Sequence, residues 1–507
     1  MRGALAACLV AACAVAPPAA HERGRLVVFV SVDQLRSADL LLFALELGPG
    51  GFAGLGRPAA LRYVSVGTET AAGHATLATG AWADVHGVVG NSLWDGARER
   101  EAVDDPRCPV WGKASGRSAA ALRVPTVGDA LKMATLGRGR VVSVAGKDRS
   151  ALLLAGASAD LALFWDVDAA RLVSTSCFAP GPPAWLPAPV IGGEWAPSRP
   201  LDVLRRYGFE EAPGAILSHG MGPRFPHPIA NARAFRFAPA STDLLLSAAR
   251  AAVDAVQLGS RGEPDLLLLG LSALDYAGHR FGPQSVERAD VLLHMHDALG
   301  RLVRELRGRF GDRVSFALSS DHGVTPIAEQ SRALRVPGGR LREEDLKADV
   351  DAAVAKRLGP APGGWVSFMV WPSLAVRRVP GIDAAAAIRA AAEALRAHEG
   401  VARVVTAEEM AHEPPSSPFR HAFVPGRSGD LLFELLPGWS VPDSGDATEH
   451  RGHWNDDALV PLLVSAPGLA LRRGSTLLAT QVAPALAMML GIPAPAAALD
   501  EAAVVER

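Results

Sequence analysis

Three carboxylates and two imidazoles stand where apolar runs of this 507-residue chain give way to polar residues. Asp33 follows Leu26–Val32 (LVVFVSV). Asp275 comes shortly after Leu266–Leu271 (LLLLGL), and His279 stands four residues further on. Asp321-His322-Gly323 lies just beyond Val314–Ser319 (VSFALS). Carboxylate oxygen and imidazole nitrogen suit Zn²⁺, with contacts of about 2.0–2.2 Å. A spacing of four puts Asp275 and His279 on one face if the segment is helical. Taken singly, an Asp after a strand is ordinarily a cap or turn residue, and Asp-His-Gly is a turn sequence. Together, at the same end of three runs, the five point to a metal centre.

Two further constellations bear on the same chemistry. Thr68-Glu-Thr70-Ala-Ala-Gly73-His74 leads into Ala-Thr-Leu-Ala-Thr79-Gly80, where Gly73 permits a tight turn and a helix is expected to begin. A hydroxyl at a helix N-terminus faces free N–H groups, where phosphate also binds; beside a divalent metal it becomes a nucleophile. An ordinary Thr cap is the competing reading. Gly146-Lys147-Asp148-Arg149 follows Val141–Ala145, in a chain with only five lysines (113, 132, 147, 347 and 356). A Lys and an Arg two residues apart supply a point charge and a fork for one anion. A solvated charged turn would look the same.

These residues need a scaffold. The apolar runs, joined by Val460–Val464 and separated by amphipathic stretches such as Ser241–Gln257 and Val286–Leu306, indicate an α/β fold with a parallel sheet between helical layers. Ligands of such sheets bind beyond the carboxyl ends of the strands. Residues of about 92–135 and 155–240, rich in Trp, Pro and Gly, read as excursions over the site. Residues 335–445 read as a small α/β insertion with strands Trp365–Val370, Val401–Thr406 and Leu431–Leu436 and a helix Asp383–His398. A core of 21–334 and 446–507 remains.

Residues 1–20 read as an export signal: a charged start, an apolar stretch too short to span a bilayer, and small residues for cleavage. Val10-Ala11-Ala12-Cys13 also resembles a lipobox, so membrane association is expected only through lipid on Cys13. The protein is therefore expected in the periplasm or outside the cell. Beyond the leader, Cys108 and Cys177 are either bridged, as an oxidising compartment allows, or two buried thiols. With 49% hydrophobic residues and a net charge of −2, the composition excludes disorder and gives no electrostatic case for nucleic acid as a specific partner. The oligomeric state is not legible.

In order along the chain, VFVSVDQLR (28–36), TETAAGHATLATG (68–80), HGVVGNSLWD (86–95), GKDRSALLLAG (146–156), LDYAGHRFGPQS (274–285), SSDHG (319–323) and EHRGHWNDDALVPLL (449–463) resemble the alkaline phosphatase superfamily. Within it they resemble the Thr-nucleophile phosphate monoesterases related to the nucleotide pyrophosphatase/phosphodiesterases. The resemblance implies an alkaline-phosphatase-like sandwich, a central, mostly parallel sheet flanked by helices with inserted cap segments. It also implies a two-zinc site acting on small-molecule phosphate esters.

One Zn²⁺ would be held by Asp275, His279 and His450, the other by Asp33, Asp321, His322 and Thr70. Thr70, four residues before His74 as in the family, would attack phosphorus and form a phosphothreonine intermediate. Asn91, Lys147 and Arg149 would contact the transferring phosphoryl group. Family members that prefer diesters usually lack the Lys-Arg pair, so monoesters are expected, with a phosphodiesterase or nucleotide pyrophosphatase as the alternative and a non-catalytic surface protein as a remote one. The chain departs from the family at Ala72, where Pro is frequent, at Asp456-Asp457, where Tyr-Asp is commoner, and at Arg451, where Gly usually follows the metal His. The last departure leaves His453 as a rival to His450. Trp94, Trp165 and Trp454 are candidates either for stacking a substrate base or for rim packing.

Overall fold

Strand formation follows the β-branched, apolar runs. In this computed structural model, which describes residues 26–211, 221–443 and 445–507, Leu26–Val32 (β1) is buried along its whole length. Its side chains alternate between two cores: Val28, Val30 and Val32 face one, Val27 and Phe29 the other. A strand whose two faces are both buried belongs in the middle of a covered sheet.

The central sheet has nine strands: β1, then Ala59–Arg62 (β2), Val141–Ala145 (β3), Leu161–Asp166 (β4), Arg171–Val173 (β5), Asp265–Leu271 (β6), Val314–Ser319 (β7), Leu459–Ser465 (β8) and Leu477–Leu478 (β9). Their spatial order is β9-β2-β8-β7-β1-β6-β3-β4-β5. β7, β1, β6, β3 and β4 are parallel neighbours. One face is covered by helices Pro239–Ala255 and Val286–Phe310. The other is covered by Thr70–Thr79 (α1) and Val482–Leu490.

Two expectations need correction. β8 is antiparallel to both β7 and β2, because the segment before it lies at the carboxyl edge of the sheet and the chain can only run back. Within 155–240, β4 and β5 extend the central sheet instead of crossing over the site, since Leu161, Leu163 and Phe164 are buried against β3 and its neighbours.

A second, antiparallel sheet orders Val366–Val370, Ser373–Val376, Leu431–Leu435 and Val401–Thr406. With helices Glu343–Leu358 and Ala384–Arg396 it encloses its own core around Trp365, Leu374, Leu395 and Phe433. Cys108 and Cys177 are disulfide-bonded, with Cα atoms 5.2 Å apart. The leader, with Cys8 and Cys13, lies outside the described residues, among which no helix is long and apolar enough to cross a membrane.

Candidate metal centre and active site

Adjacent parallel strands deliver the chemistry to one edge. From the carboxyl ends of β7, β1 and β6 come Asp321-His322, Asp33 and the helix Ala273–Phe281 (α2), which places Asp275 and His279 on one face as the spacing of four requires. β3 ends at Lys147. Asp33, Asp275, Asp321 and His322 are buried. Thr70 is the first residue of α1, all ten residues of which are buried. Gly73 lies inside that helix, so it makes no turn there. A Cβ at Gly73 would fall 2.3 Å from the Asp321 carbonyl oxygen, and its absence lets α1 dock on the carboxylate cluster.

The imidazoles share one design. Nδ1–H of His279 donates to the carbonyl of Thr448 (3.0 Å), that of His450 to Thr68 (2.6 Å), that of His322 to Gly323 (2.9 Å) and that of His74 to Thr70 (2.8 Å). Because carbonyls only accept, each neutral ring keeps its lone pair on Nε2, and these nitrogens face the carboxylates. His279 Nε2 lies 3.3 Å and His450 Nε2 3.8 Å from Asp275 Oδ1. His322 Nε2 lies 3.1 Å from Asp321 Oδ2 and 3.4 Å from Thr70 Oγ1. Asp275, His279 and His450 form one group of ligand-type atoms; Asp33, His74 and Asp321 form a second. In the second, Asp33 Oδ1, Asp321 Oδ2 and His74 Nε2 are buried without hydrogen-bond partners, an arrangement that needs a counter-charge. Gln34, with a left-handed φ of 70°, donates its backbone N–H to Asp321 Oδ1 and its side-chain amide to Asp275 Oδ1, both at 3.3 Å.

The electrostatics describe a negative well. Burial pushes the His279 ring down, but Glu449 and Asp275 outweigh it and hold its pKa well above the ordinary value. His322, opposed by burial, is raised by Asp321. His450 goes the other way: burial, then His322 and His279, keep it neutral. Burial pushes the Asp275 carboxyl up, yet Lys147 and His279 hold it far below its usual range. Lys147 Nζ, itself buried, lies 2.6 Å from Asp275 Oδ2, 3.3 Å from Asp33 Oδ2 and 3.1 Å from Thr70 Oγ1.

Thr70, Asn91, Lys147 and Arg149 share a cleft of about 200 Å³ with Asp275, His279 and His450. Asn91 Oδ1 accepts from the Ala71 N–H at 3.0 Å, which leaves its NH₂ for another acceptor. His453 is elsewhere, paired with Glu434, so His450 is the imidazole that reaches the cluster. Arg451 adopts φ 138°, a conformation that favours glycine and costs an Arg about 1–3 kcal/mol. Its guanidinium offsets this by lying 3.1 Å from Glu69 and 3.6 Å from Glu449, while donating to the Trp371 carbonyl at 3.1 Å. Asp457 accepts from the Gly452 N–H (2.9 Å) and the Thr325 hydroxyl (2.9 Å) and so secures the loop that follows His450. Trp94 stacks on Phe368, Trp165 packs on Phe235, and Trp454 donates to Leu435; none of the three lines this cleft.

Sequence reasoning used His74 only to mark a spacing, although its position one turn after Thr70 carried the signal. It also passed over Glu449, beside His450, and Arg236, which lines the cleft from a segment with no motif.

Comparison with known proteins agrees with this geometry. The sequence matches the type I phosphodiesterase / nucleotide pyrophosphatase family over residues 27–457. It is 31% identical to the alkaline phosphatase PhoK of Sphingomonas sp, covering 94% of this chain and 90% of the relative. With the alkaline phosphatase PhoV of Synechococcus elongatus it shares 28% identity, over 96% and 93%. The crystal structure of wild type alkaline phosphatase PafA superposes with a TM-score of 0.85 at 24% identity, covering 95% of this chain and 98% of that one. This chain belongs to the type I phosphodiesterase / nucleotide pyrophosphatase family and is a phosphoester hydrolase of the alkaline phosphatase type.

Proposed function

We propose that the enzyme hydrolyses phosphate monoesters through a phosphothreonine at Thr70, with two zinc ions as its cofactors. The observation that carries the reading is the placement of Lys147 Nζ 3.1 Å from Thr70 Oγ1, beside the buried carboxylates of Asp33 and Asp321, each of which has one oxygen without a hydrogen-bond partner. That donor set fits two divalent cations. Asp275, His279 and His450 would hold one; Asp33, Asp321, His322 and Thr70 the other, with His74 orienting Asp33 and Asp321. When bound, such ions lower the pKa of a hydroxyl or water and stabilise a departing oxygen.

The chain's own groups do the rest. Thr70 Oγ1, at the head of α1, attacks phosphorus in line and the P–O bond to the alcohol breaks. The free NH₂ of Asn91, the Lys147 ammonium and the Arg149 guanidinium meet the equatorial oxygens, where phosphoryl transfer gathers charge. The hydroxyl proton that Thr70 gives up on attack balances the proton that the departing alcohol takes up. Water entering from the Asp275 side breaks the Thr70–phosphate bond, releases inorganic phosphate and restores the hydroxyl. A monoester dianion brings more charge to this cationic wall than a diester does, which favours monoesters. The Cys108–Cys177 bridge fits an oxidising compartment and supports a periplasmic or secreted location.

Acid-quenched turnover of p-nitrophenyl phosphate, followed by peptide mass spectrometry, tests this. A phosphate adduct is expected on the peptide carrying Thr70, and Thr70→Ala should abolish both adduct and turnover. An adduct elsewhere, undiminished turnover in Thr70→Ala, or a clear preference for bis(p-nitrophenyl) phosphate would overturn the reading.

A further inference from the structure

The cleft holds a cation that phosphoryl transfer as described does not use. Arg236 follows the short helix Ala232–Phe235 and lines the same cleft as Thr70, Lys147 and Arg149. Its guanidinium carbon lies 4.6 Å from the centroid of the Tyr276 ring and 5.0 Å from that of Phe237, so the side chain is held by two aromatic faces. Lys147 Nζ lies 5.3 Å from the same Tyr276 centroid. Among the described residues no carboxylate pairs with Arg236, and its Nε is buried without a hydrogen-bond partner. Of the other two arginines lining this cleft, Arg451 is neutralised by Glu69 and Glu449 and Arg149 lies 3.6 Å from Asp148.

The charges of the cleft are also divided. Lys147, Arg149 and Arg236 stand around Tyr276, whereas Asp443, Asp446 and Glu449 line the cleft near His279. An anionic group on a leaving alcohol is repelled by the acidic side and attracted by a guanidinium whose donors are unspent. Resting on the monoesterase reading of this site, we propose that Arg236 is a specificity residue. It binds a second anionic group, carboxylate or phosphate, on the alcohol portion of the substrate, so the enzyme favours doubly anionic metabolites over simple monoesters. Guanidinium is suited to this because its fork matches either anion with two parallel hydrogen bonds.

Matched substrates test the assignment. kcat/KM is measured for 3-phosphoglycerate against glycerol 3-phosphate, and for glucose 1,6-bisphosphate against glucose 6-phosphate, in wild type, Arg236→Ala and Arg236→Lys. The wild type should prefer the doubly anionic member of at least one pair. That preference should fall about tenfold or more in Arg236→Ala, as loss of one charge-assisted contact implies, and less in Arg236→Lys. A fall in the first pair identifies a carboxylate as the partner, a fall in the second a phosphate. Arg236→Gln, which keeps bulk and polarity, gives the same ratio if the alanine variant does not fold. Ratios unchanged in every variant overturn the subsite while leaving the monoesterase reading intact. Failure of the wild type to hydrolyse any of the four overturns the monoesterase reading itself.

Discussion

Replacing Lys147 with Ala separates the electrostatic account of substrate choice from a merely structural one. Lys147 Nζ is 3.1 Å from the Thr70 hydroxyl, so a phosphoryl group bonded to that oxygen would hold its equatorial oxygens roughly 4 Å from the ammonium. At an effective dielectric of about 20, unit charges about 4 Å apart interact by about 4 kcal/mol. A monoester dianion carries one more negative charge than a diester monoanion, and part of that charge is shared with Arg149. Monoester kcat/KM should therefore fall about 100-fold more than diester kcat/KM, a difference of about 2.7 kcal/mol. The assay compares p-nitrophenyl phosphate with bis(p-nitrophenyl) phosphate, with metal content measured on the same samples. Metal should stay bound, because Lys147 offers no ligand lone pair when charged and burial is outweighed by Asp275 and Asp33, which hold its pKa above the ordinary value. Equal losses on the two substrates would refute the reasoning; so would a selective loss accompanied by loss of metal, which would make Lys147 a support of the cluster.

Two further outcomes follow from the surrounding structure. Asp39 is buried between Arg36 (2.7 Å) and Arg288 (2.8 Å); burial pushes its carboxyl up, but Arg288 and Arg36 outweigh that and hold it well below the usual range. The unfolded state then binds the proton more readily, so the stability from this group is complete above about pH 4 and is lost as the pH falls below that. Asp39→Asn should unfold with a flatter acid limb and lose about 3 kcal/mol at neutral pH, read by urea titration across pH; an unchanged acid limb would contradict it. The Cys108–Cys177 bridge spans 69 residues, a loop for which chain entropy gives about 4 kcal/mol. Thermal unfolding with and without reductant should show a lower Tm on reduction, and coincident transitions would contradict that.

Much of the scaffold was legible because its signals are local. Leu26–Val32, Val141–Ala145 and Val314–Ser319 are continuous, β-branched and bounded by polar residues, and they are strands over those residues. Val460–Val464 has the same composition, but its direction depends on where the preceding loop leaves the chain, and no local pattern encodes that. Gly73 was visible as a glycine, yet its reason is the approach of Asp321, 248 residues away in sequence. Asp33, Asp275, Asp321 and the imidazoles were legible as a group because strand ends converge at one edge of a parallel sheet. Arg236 was not, since only folding brings it from an unremarkable turn to face Tyr276. Arg451 was seen as a departure from a glycine; of the two carboxylates that hold it in a strained conformation, Glu449 is two residues away and Glu69 comes from a distant part of the chain.

The centre of the account is a pair of divalent cations at the strand ends beside Thr70. Elemental analysis of the purified, extensively dialysed protein, with Asp275→Ala and Asp321→Ala in parallel, tests it most directly. Two zinc ions per chain are expected in the wild type and one in each variant, with turnover lost in both. A wild type that is fully active with fewer than two divalent ions, or variants that keep both ions, would contradict it.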